Sequence, residues 1–449
     1  MTAHGKAAHG GQGTTGGPVT PWVLWIIPAV YFVFVAAEFG AMTYLALQAT
    51  AAGRSALAVG GLSSAMWTGI LLASARSHGL VARHGHARVI IAATGLSLLA
   101  LSSMPWHQHY AGWLAGALVL GLGGGLVWVA GEAWLAELAP PARRGYFVGL
   151  FETAVGLGLM AGPALLPLAL WLQWPLLWVS TGLMAVALAC SLPLARVAAQ
   201  PVDDVGVAET GAVALAAWRA VAWPLAGVAV LSGMMESGVS ALLPSVSMRL
   251  GFSMESAAWL GTVIGAGSAL LQPPAGHLAD RWGVRRSTLL AWGLVLLANA
   301  VLLLWADQPG RVLWGVGFAL AGVGGAAYTL MIVALGHQLA GSALVKAIAL
   351  LVTGYALGTS VGPVLGGAAF DAFGLRGLAT LLLALGILGG LATWRWLKPA
   401  GGPVGGPVGG PVGGPVGGPV GKPVVGPAGA PPGGPTGAPT AAGRDQTCG

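Results

Sequence analysis

Long apolar runs separated by short polar loops dominate the chain. They lie near 22–47, 56–75, 89–105, 111–135, 146–170 and 174–194, and, after a polar stretch, near 223–243, 256–276, 287–306, 312–335, 346–370 and 375–397. Each is close to the roughly 20 apolar residues that a helix needs to cross the hydrocarbon of a bilayer. The pattern predicts an all-α polytopic membrane protein with twelve transmembrane helices in two bundles of six.

The composition excludes a soluble globular protein. Of the 449 residues, 56% are hydrophobic and only 7% are charged, and the mean hydropathy is +0.80. A soluble domain carries about 25% charged residues, because its surface must face water. The lipid bilayer is therefore the first predicted partner of this chain.

The basic residues are distributed unevenly between the two sides of the predicted spans. All but four of the 20 Lys and Arg residues fall on one side, and the exceptions are Arg54, Arg249, Arg311 and Arg376. Cytoplasmic loops of membrane proteins carry such an excess. We therefore predict a protein of the cell (inner) membrane with both termini in the cytoplasm. The topology accounts for the net charge of +7, so no nucleic-acid partner is predicted.

Low-complexity segments divide the chain into five parts. Segments with few large apolar residues cannot bury enough surface to offset the entropy of ordering. The predicted parts are a disordered cytoplasmic N-terminus (1–21), an N-terminal six-helix bundle (22–194), a cytoplasmic linker (195–222), a C-terminal six-helix bundle (223–397) and a disordered cytoplasmic tail rich in Gly, Pro and Val (398–449).

The two predicted bundles repeat one another in sequence. Ala-Ala-Glu38-Phe-Gly40 aligns with Met-Met-Glu236-Ser-Gly238 at an offset of 198 positions, and later matches follow at an offset of 200. Transporters built from two parallel six-helix repeats bind substrate near the membrane midplane, between the halves. The repeat predicts a central site of this kind.

The loop after the eighth span carries the most specific motif. It reads Gly-His-Leu-Ala-Asp-Arg-Trp-Gly-Val-Arg-Arg and resembles the G-x-L-A-D-R-x-G-x-R-R loop of the major facilitator superfamily. The first half holds a reduced copy, in which Ala82 stands at the position of the Asp. The resemblance implies a cytoplasmic latch that stabilises one state of the transport cycle. Its residues are Gly276, Asp280, Arg281, Gly283, Arg285 and Arg286, with Arg83, Gly85 and Arg88 in the first half.

Two further stretches narrow the resemblance. Gly131-Glu132-Ala-Trp134-Leu135 and Leu271-Gln272-Pro-Pro274 are similar to the YcaD-like branch of permeases. The resemblance covers about 22–397. It implies a major facilitator fold, alternating access for a small-molecule substrate, function as a monomer and no cofactor.

Glu38 and Glu236 are the strongest candidates for a functional site. Each lies deep in an apolar span, where a charged side chain costs about 2.5–3.5 kcal/mol on insertion scales. Burial disfavours the charged form, which suits a group that binds and releases a proton. We interpret the pair as the proton or substrate coupling site; the alternative is a neutral side chain hydrogen-bonded between helices. Tyr31, Trp128 and Tyr328 are predicted to line the cavity.

Glu132 and Glu152 lie near the predicted cytoplasmic ends of their spans, close in sequence to Arg143 and Arg144. We interpret these four residues as a cytoplasmic charge network outside the transport pathway, because ion pairs at helix ends need not take part in transport.

Small residues recur every four positions in the fifth and eleventh spans. This spacing lets two helices approach closely. The residues are Gly158, Gly162 and Pro163 in the fifth span and Gly358, Gly362 and Pro363 in the eleventh. With Gly149, the run in the fifth span resembles a signature of family antiporters, mostly exporters, and so implies export.

Motifs for nucleotide or metal chemistry are missing from the sequence. There is neither a G-x-x-x-x-G-K-[ST] phosphate loop nor an H-E-x-x-H zinc motif. His78, His84 and His86 share one loop, but no carboxylate or Cys completes a metal site there. We predict a proton-coupled secondary active transporter rather than an enzyme. A transporter-fold sensor or assembly partner without net transport is the alternative.

Overall fold

The computed structural model describes residues 22–107, 109–140, 143–197, 212–308, 310–339 and 341–397, and the regular elements in these ranges are helices. Short 3-10 turns follow α3 and α6. The α-helices are α1 (Val23–Ala51), α2 (Ala56–His84), α3 (His86–Ser103), α4 (Tyr110–Leu138), α5 (Arg144–Leu172), α6 (Leu176–Ser191), α7 (Ala212–Arg249), α8 (Met254–Trp282), α9 (Val284–Leu304), α10 (Val312–Gln338) and α11 (Gly341–Trp396).

Ten of these helices are long and apolar enough to cross a membrane, within the ranges that the structure describes. The chain is therefore an integral membrane protein. α8 is not among the ten; Gln272, Pro273, Pro274 and His277 interrupt its apolar residues.

The last helix, α11, is broken at one residue. Gly374 has φ 64° and ψ −154°, outside the helical region, in a conformation that glycine adopts without the steric cost of a side chain. It separates two helical stretches where the sequence predicts a turn between spans. α11 as a whole has 56 residues, more than twice the roughly 20 that one span needs.

The start of α7 differs from the predicted domain boundary. The helix begins at Ala212, inside the segment 195–222 that the sequence analysis assigns to a linker. Residues 212–222 are rich in Ala, which has the highest helix propensity, so the helix extends beyond the apolar run. Residues 1–21, 198–211 and 398–449, which belong to the predicted terminus, linker and tail, lie outside the described residues.

The repeat extends to the caps and turns of the helices. Ser55 and Ser253 begin α2 and α8, and each hydroxyl accepts a backbone N–H hydrogen bond of 3.1 Å. Gly85 and Gly283 end the same two helices with φ of 79° and 83°, a region that favours glycine. Two of the three latch-motif glycines, Gly85 and Gly283, are thus explained by the turns into α3 and α9.

Glycines bring α5 close to α1 and α11 close to α7. A Cβ atom added to Gly162 would lie 2.8 Å from the backbone N of Gly40 and 3.0 Å from the carbonyl O of Ala36. In the second half, Gly358 and Gly362 face the backbone of α7 in the same way. The small residues at four-residue spacing are therefore sites of close interhelical packing.

We expect Gly162→Leu to destabilise the protein strongly and Gly149→Leu, on the same helix, to leave it unchanged. The new side chain at 162 would collide with the α1 backbone, and overpacking of this kind costs about 1–3 kcal/mol or more. No described atom lies within 4 Å of a Cβ at Gly149. Thermal unfolding of the two purified variants in detergent measures the difference. Equal Tm values would show that α1 and α5 do not pack this closely.

The two halves meet along α2 with α11 and along α5 with α8. A Cβ on Gly265 of α8 would lie 2.8 Å from the carbonyl O of Leu159 on α5, and Gly60 of α2 lies against the carbonyl of Pro363 on α11. These two contacts are repeat-related, and between them the halves enclose a central cavity.

Candidate functional site

The central cavity is lined by both halves in a repeat-related way. α1, α2, α4 and α5 contribute from the first half, and α7, α8, α10 and α11 from the second. The volume of the cavity that is open to the centre of a water molecule is about 200 Å³. The cavity can therefore hold a small organic molecule together with water.

Glu38 lines this cavity from α1 and is 3% exposed. Its Oε1 has no hydrogen-bond partner among the described residues. It lies against α4, where a Cβ on Gly124 would come within 2.7 Å of Oε1. Glycine at 124 therefore makes room for the carboxyl group.

Glu236 lines the cavity from α7 and is fully partnered. Its Oε1 accepts a hydrogen bond from the Ser268 hydroxyl, and its Oε2 accepts one from the Tyr355 hydroxyl, both at 2.7 Å. A Cβ on Gly325 of α10 would lie 3.2 Å from Oε1. The two repeat-related carboxyl groups thus face repeat-related glycine runs of α4 and α10, but only one is held by donors.

The three aromatic residues predicted to line the cavity all do so. Tyr31 and Trp128 lie together, with ring centroids 6.3 Å apart. The ring centroids of Tyr328 and Tyr355 are 4.4 Å apart. Tyr355 was not predicted, although a tyrosine inside an apolar span is a usable signal, and Ser268 was not predicted because serines occur in many of the apolar spans.

The structure places Glu152 of the predicted cytoplasmic charge network at the central cavity. Glu152 lines the central cavity, because it lies two turns inside α5 and faces inward. Glu132 is close enough to Glu152 for the two carboxyl groups to interact electrostatically. Arg143 is exposed at the start of α5 and forms no ion pair with either acid among the described residues, and the Arg144 side chain lies outside them.

The latch-motif residues lie at the turns between α2 and α3 and between α8 and α9. Asp280, Arg281 and Arg286 are exposed. Arg285 donates a hydrogen bond of 3.3 Å to the carbonyl O of Trp394, inside its own half. Gly276 lies in open space on α8, and Arg83 and Arg88 are exposed. The described contacts do not join the two copies of the motif.

A cluster at the opposite end of the helices joins the two halves. Asp371 of α11 accepts hydrogen bonds from the backbone N–H groups of Ala56 (2.7 Å) and Leu57 (2.8 Å), at the start of α2. Arg249 lies 3.9 Å from the Asp371 carboxylate and donates to the carbonyl O of Arg54. We call these five residues the Asp371 cluster. It joins the start of α2 to α7 and α11 of the second half.

One stretch of α11 matches a nucleophile motif that the sequence analysis overlooked. Gly358-Thr-Ser360-Val-Gly362 reads G-x-S-x-G. That motif acts in a strand-turn-helix context, whereas Ser360 lies within a helix and donates to the carbonyl O of Ala356 at 2.8 Å. The match therefore reflects the helix-packing glycines.

Comparison with known proteins agrees with this architecture. The model of the Major Facilitator Superfamily matches residues 27–257 and 225–430. The uncharacterized MFS-type transporter YfkF of Bacillus subtilis (strain 168) is 27% identical over 323 residues, covering 70% of this chain and 80% of that relative.

Two solved structures share the fold. A mutant of the nucleoside transporter NupG superposes with a TM-score of 0.67 at 12% identity, covering 84% of this chain and all (100%) of that one. A D-xylose-proton symporter superposes with a TM-score of 0.66 at 16% identity, covering 83% and 98%. With both repeats matched by the family model, the chain belongs to the major facilitator superfamily of membrane transporters.

Proposed function

We propose that the protein is a secondary active transporter that moves a small molecule by alternating access, coupled to protons through Glu38, Glu236 or both. The observation that carries this proposal is that two repeat-related carboxyl groups line one cavity between the halves. Protonation shifts the balance between outward-open and inward-open states if the two states bind the proton differently. The fold supports such coupling elsewhere, in the D-xylose-proton symporter.

The proposed topology has twelve spans. The protein lies in the cell (inner) membrane, and both of its termini lie in the cytoplasm. Ten helices meet the length and apolarity of a span, and adding α8 and counting α11 as two spans gives twelve. The distribution of Lys and Arg supports this orientation. The latch motif then lies on the cytoplasmic side, and we propose that it stabilises one state of the cycle.

Three finer assignments complete the proposal. Export by antiport is supported by the resemblance of the α5 glycines to an antiporter signature. Membership of the YcaD-like branch is supported by the stretches around Glu132 and Gln272. The complete two-half cavity within one chain supports function as a monomer.

Proteoliposomes that contain a pH-sensitive dye test the proposal. Pools of metabolites and drugs are added in turn, and we expect at least one pool to move protons in wild-type vesicles and not in protein-free vesicles. The flux should persist when 398–449 are deleted. Two results together would instead support a sensor or assembly partner. Folded protein would transport none of the pools in vesicles, and deletion of 398–449 would change the phenotype of the cell.

A further inference from the structure

The charge of the central cavity has one sign. Glu38, Glu152 and Glu236 line it, and no Lys, Arg or His does so among the residues that the structure describes. An anionic substrate would meet no compensating charge there, and burying an unpaired charge is costly. A positively charged ligand is the one that this lining would stabilise.

Glu38 supplies an independent indication of a missing partner. The residue is only 3% exposed, and its buried Oε1 has no hydrogen-bond donor among the described residues. Buried polar groups in folded proteins are nearly always paired, and an exception calls for an explanation. A cation beside this carboxylate would supply the pairing that the protein does not.

Glu236 differs in this respect, although it is the repeat-related residue. Both of its oxygens already accept hydrogen bonds, from Ser268 and Tyr355. Gln272, whose Oε1 accepts from Thr329 at 3.2 Å, also lies beside it. The protein therefore satisfies one carboxyl group itself and leaves the other for a ligand.

The rest of the lining suits an organic cation rather than a metal ion. Aromatic rings from both halves face the cavity, and between them lie apolar side chains; the rings belong to Tyr31, Phe39, Trp67, Trp128, Tyr328 and Tyr355. Faces of Trp and Tyr attract quaternary ammonium and related cations, and this attraction grows when water is excluded. Metal ions would require several converging oxygen, nitrogen or sulfur ligands, and the described residues contain no such group.

We propose that the central cavity binds a monovalent organic cation with an apolar body, and that Glu38 is the carboxylate that pairs with its charge. The inference deepens the proposed function by naming the substrate class. It concerns binding, so it can be tested without measuring transport.

The test is equilibrium binding to the purified full-length protein in detergent, measured by isothermal titration calorimetry. The probes are tetraalkylammonium ions from tetramethyl to tetrabutyl and tetraphenylphosphonium, and tetraphenylborate is the anion matched in size and shape to the last. We expect at least one cation to bind and tetraphenylborate not to bind. Truncating one partner of a buried charge pair costs about 2 kcal/mol or more, so Glu38→Gln should raise the Kd about thirtyfold.

Two further variants make the assignment specific. Glu236→Gln should change the Kd less than Glu38→Gln, because the Glu236 carboxyl group is already occupied by Ser268 and Tyr355. Glu255→Gln removes an exposed carboxylate at the start of α8 and should leave the Kd unchanged. Size-exclusion profiles and thermal unfolding verify that each variant is folded.

Several results would overturn the inference. Binding of none of the cations by folded protein, or equal binding of tetraphenylborate, would exclude a cation site. A larger effect of Glu236→Gln than of Glu38→Gln would remove Glu38 from its assigned role. Proton-coupled flux of an anionic or neutral solute without cation binding would refute this inference and leave the transporter intact, whereas cation binding without flux would refute the proposed function alone.

Discussion

Glu38→Gln is expected to insert and fold like the wild-type protein but to lose gradient-driven transport. Glutamine has the shape of a protonated glutamate, yet it cannot bind or release a proton. Coupling free energies between sites are typically about 1–3 kcal/mol, or roughly 5- to 150-fold. We therefore expect proton-driven accumulation of substrate in proteoliposomes to decrease by roughly 5- to 150-fold.

Glu236→Gln is expected to lose coupling and stability together. A carboxylate accepts from both Ser268 and Tyr355, whereas the amide nitrogen of glutamine can only donate, so one of these hydroxyls must find another acceptor. Loss of a hydrogen bond to a charged acceptor costs about 1.5–3 kcal/mol. The Tm of Glu236→Gln should therefore fall, and that of Glu38→Gln should not.

Exchange experiments separate coupling from binding. Substrate exchange at equal pH on both sides needs no net proton movement, so a variant that has lost only coupling retains it. Glu255→Gln serves as the control, since its carboxyl group lies outside the cavity. Wild-type accumulation by both Glu38→Gln and Glu236→Gln would refute proton coupling through this pair.

The two carboxyl groups were predictable from the sequence, whereas the difference between them was not. An acid inside an apolar run stands out at once, and the repeat at 198 positions pairs Glu38 with Glu236. The donors to Glu236 lie 32 and 119 positions away, on helices whose neighbours only the fold defines. No local pattern distinguishes Ser268 from other serines in apolar spans.

Glu152 shows why position along a helix is a weaker guide than its face. Its closeness in sequence to Arg143 and Arg144 suggested an ion pair at the helix end. On a helix, only side chains three or four residues apart point to the same face. The packing of α5 on α1 and α8 directs the side chain of Glu152 into the cavity. Gly158 and Gly162 of α5 lie close to α1, which is the usual structural role of small residues at four-residue spacing in membranes.

Three of the four arginines outside the positive side of the chain, Arg54, Arg249 and Arg376, have side-chain partners in the fold. Arg249 joins the Asp371 cluster, and Arg54 lies over the ring of Tyr110 with its Cζ 5.6 Å from the ring centroid. Arg376 pairs with Asp307 at 2.7 Å. These partners are distant in sequence. The distribution of Lys and Arg along the chain therefore predicts a side of the membrane for these residues but not their contacts.

Removal of the Asp371 carboxylate is expected to weaken the contact between the two halves at this end and so to open the cavity there. Asp371 connects the second half to the first through two hydrogen bonds to the start of α2, and the proposed alternating-access cycle requires these bonds to break. Hydrogen bonds to a charged acceptor contribute about 1.5–3 kcal/mol each, and about 1.4 kcal/mol shifts a two-state equilibrium tenfold. Asp371→Ala should therefore raise the population open at this end at least about tenfold.

Cysteine labelling measures that population. Ala46 lines the cavity near the end of α1, so Ala46→Cys is introduced into a chain in which Cys190 and Cys448 are replaced by Ser. A membrane-impermeant maleimide added outside the cell should label Ala46→Cys at least about tenfold faster when Asp371→Ala is also present. Asp307→Ala is the matched control, because it removes an ion pair between exposed side chains at the same end but within one half.

The comparison of these two aspartates isolates what the Asp371 cluster does. Exposed ion pairs contribute about 0–1 kcal/mol, so Asp307→Ala should leave the labelling rate within a factor of about five. Asp371→Ala acts on the contact between the halves. It should raise the labelling rate while leaving the Tm of the protein nearly unchanged. Equal labelling rates in both variants would mean that the glycine contacts of α2 with α11 close this end by themselves, and the Asp371 cluster would then be a consequence of closure rather than its cause.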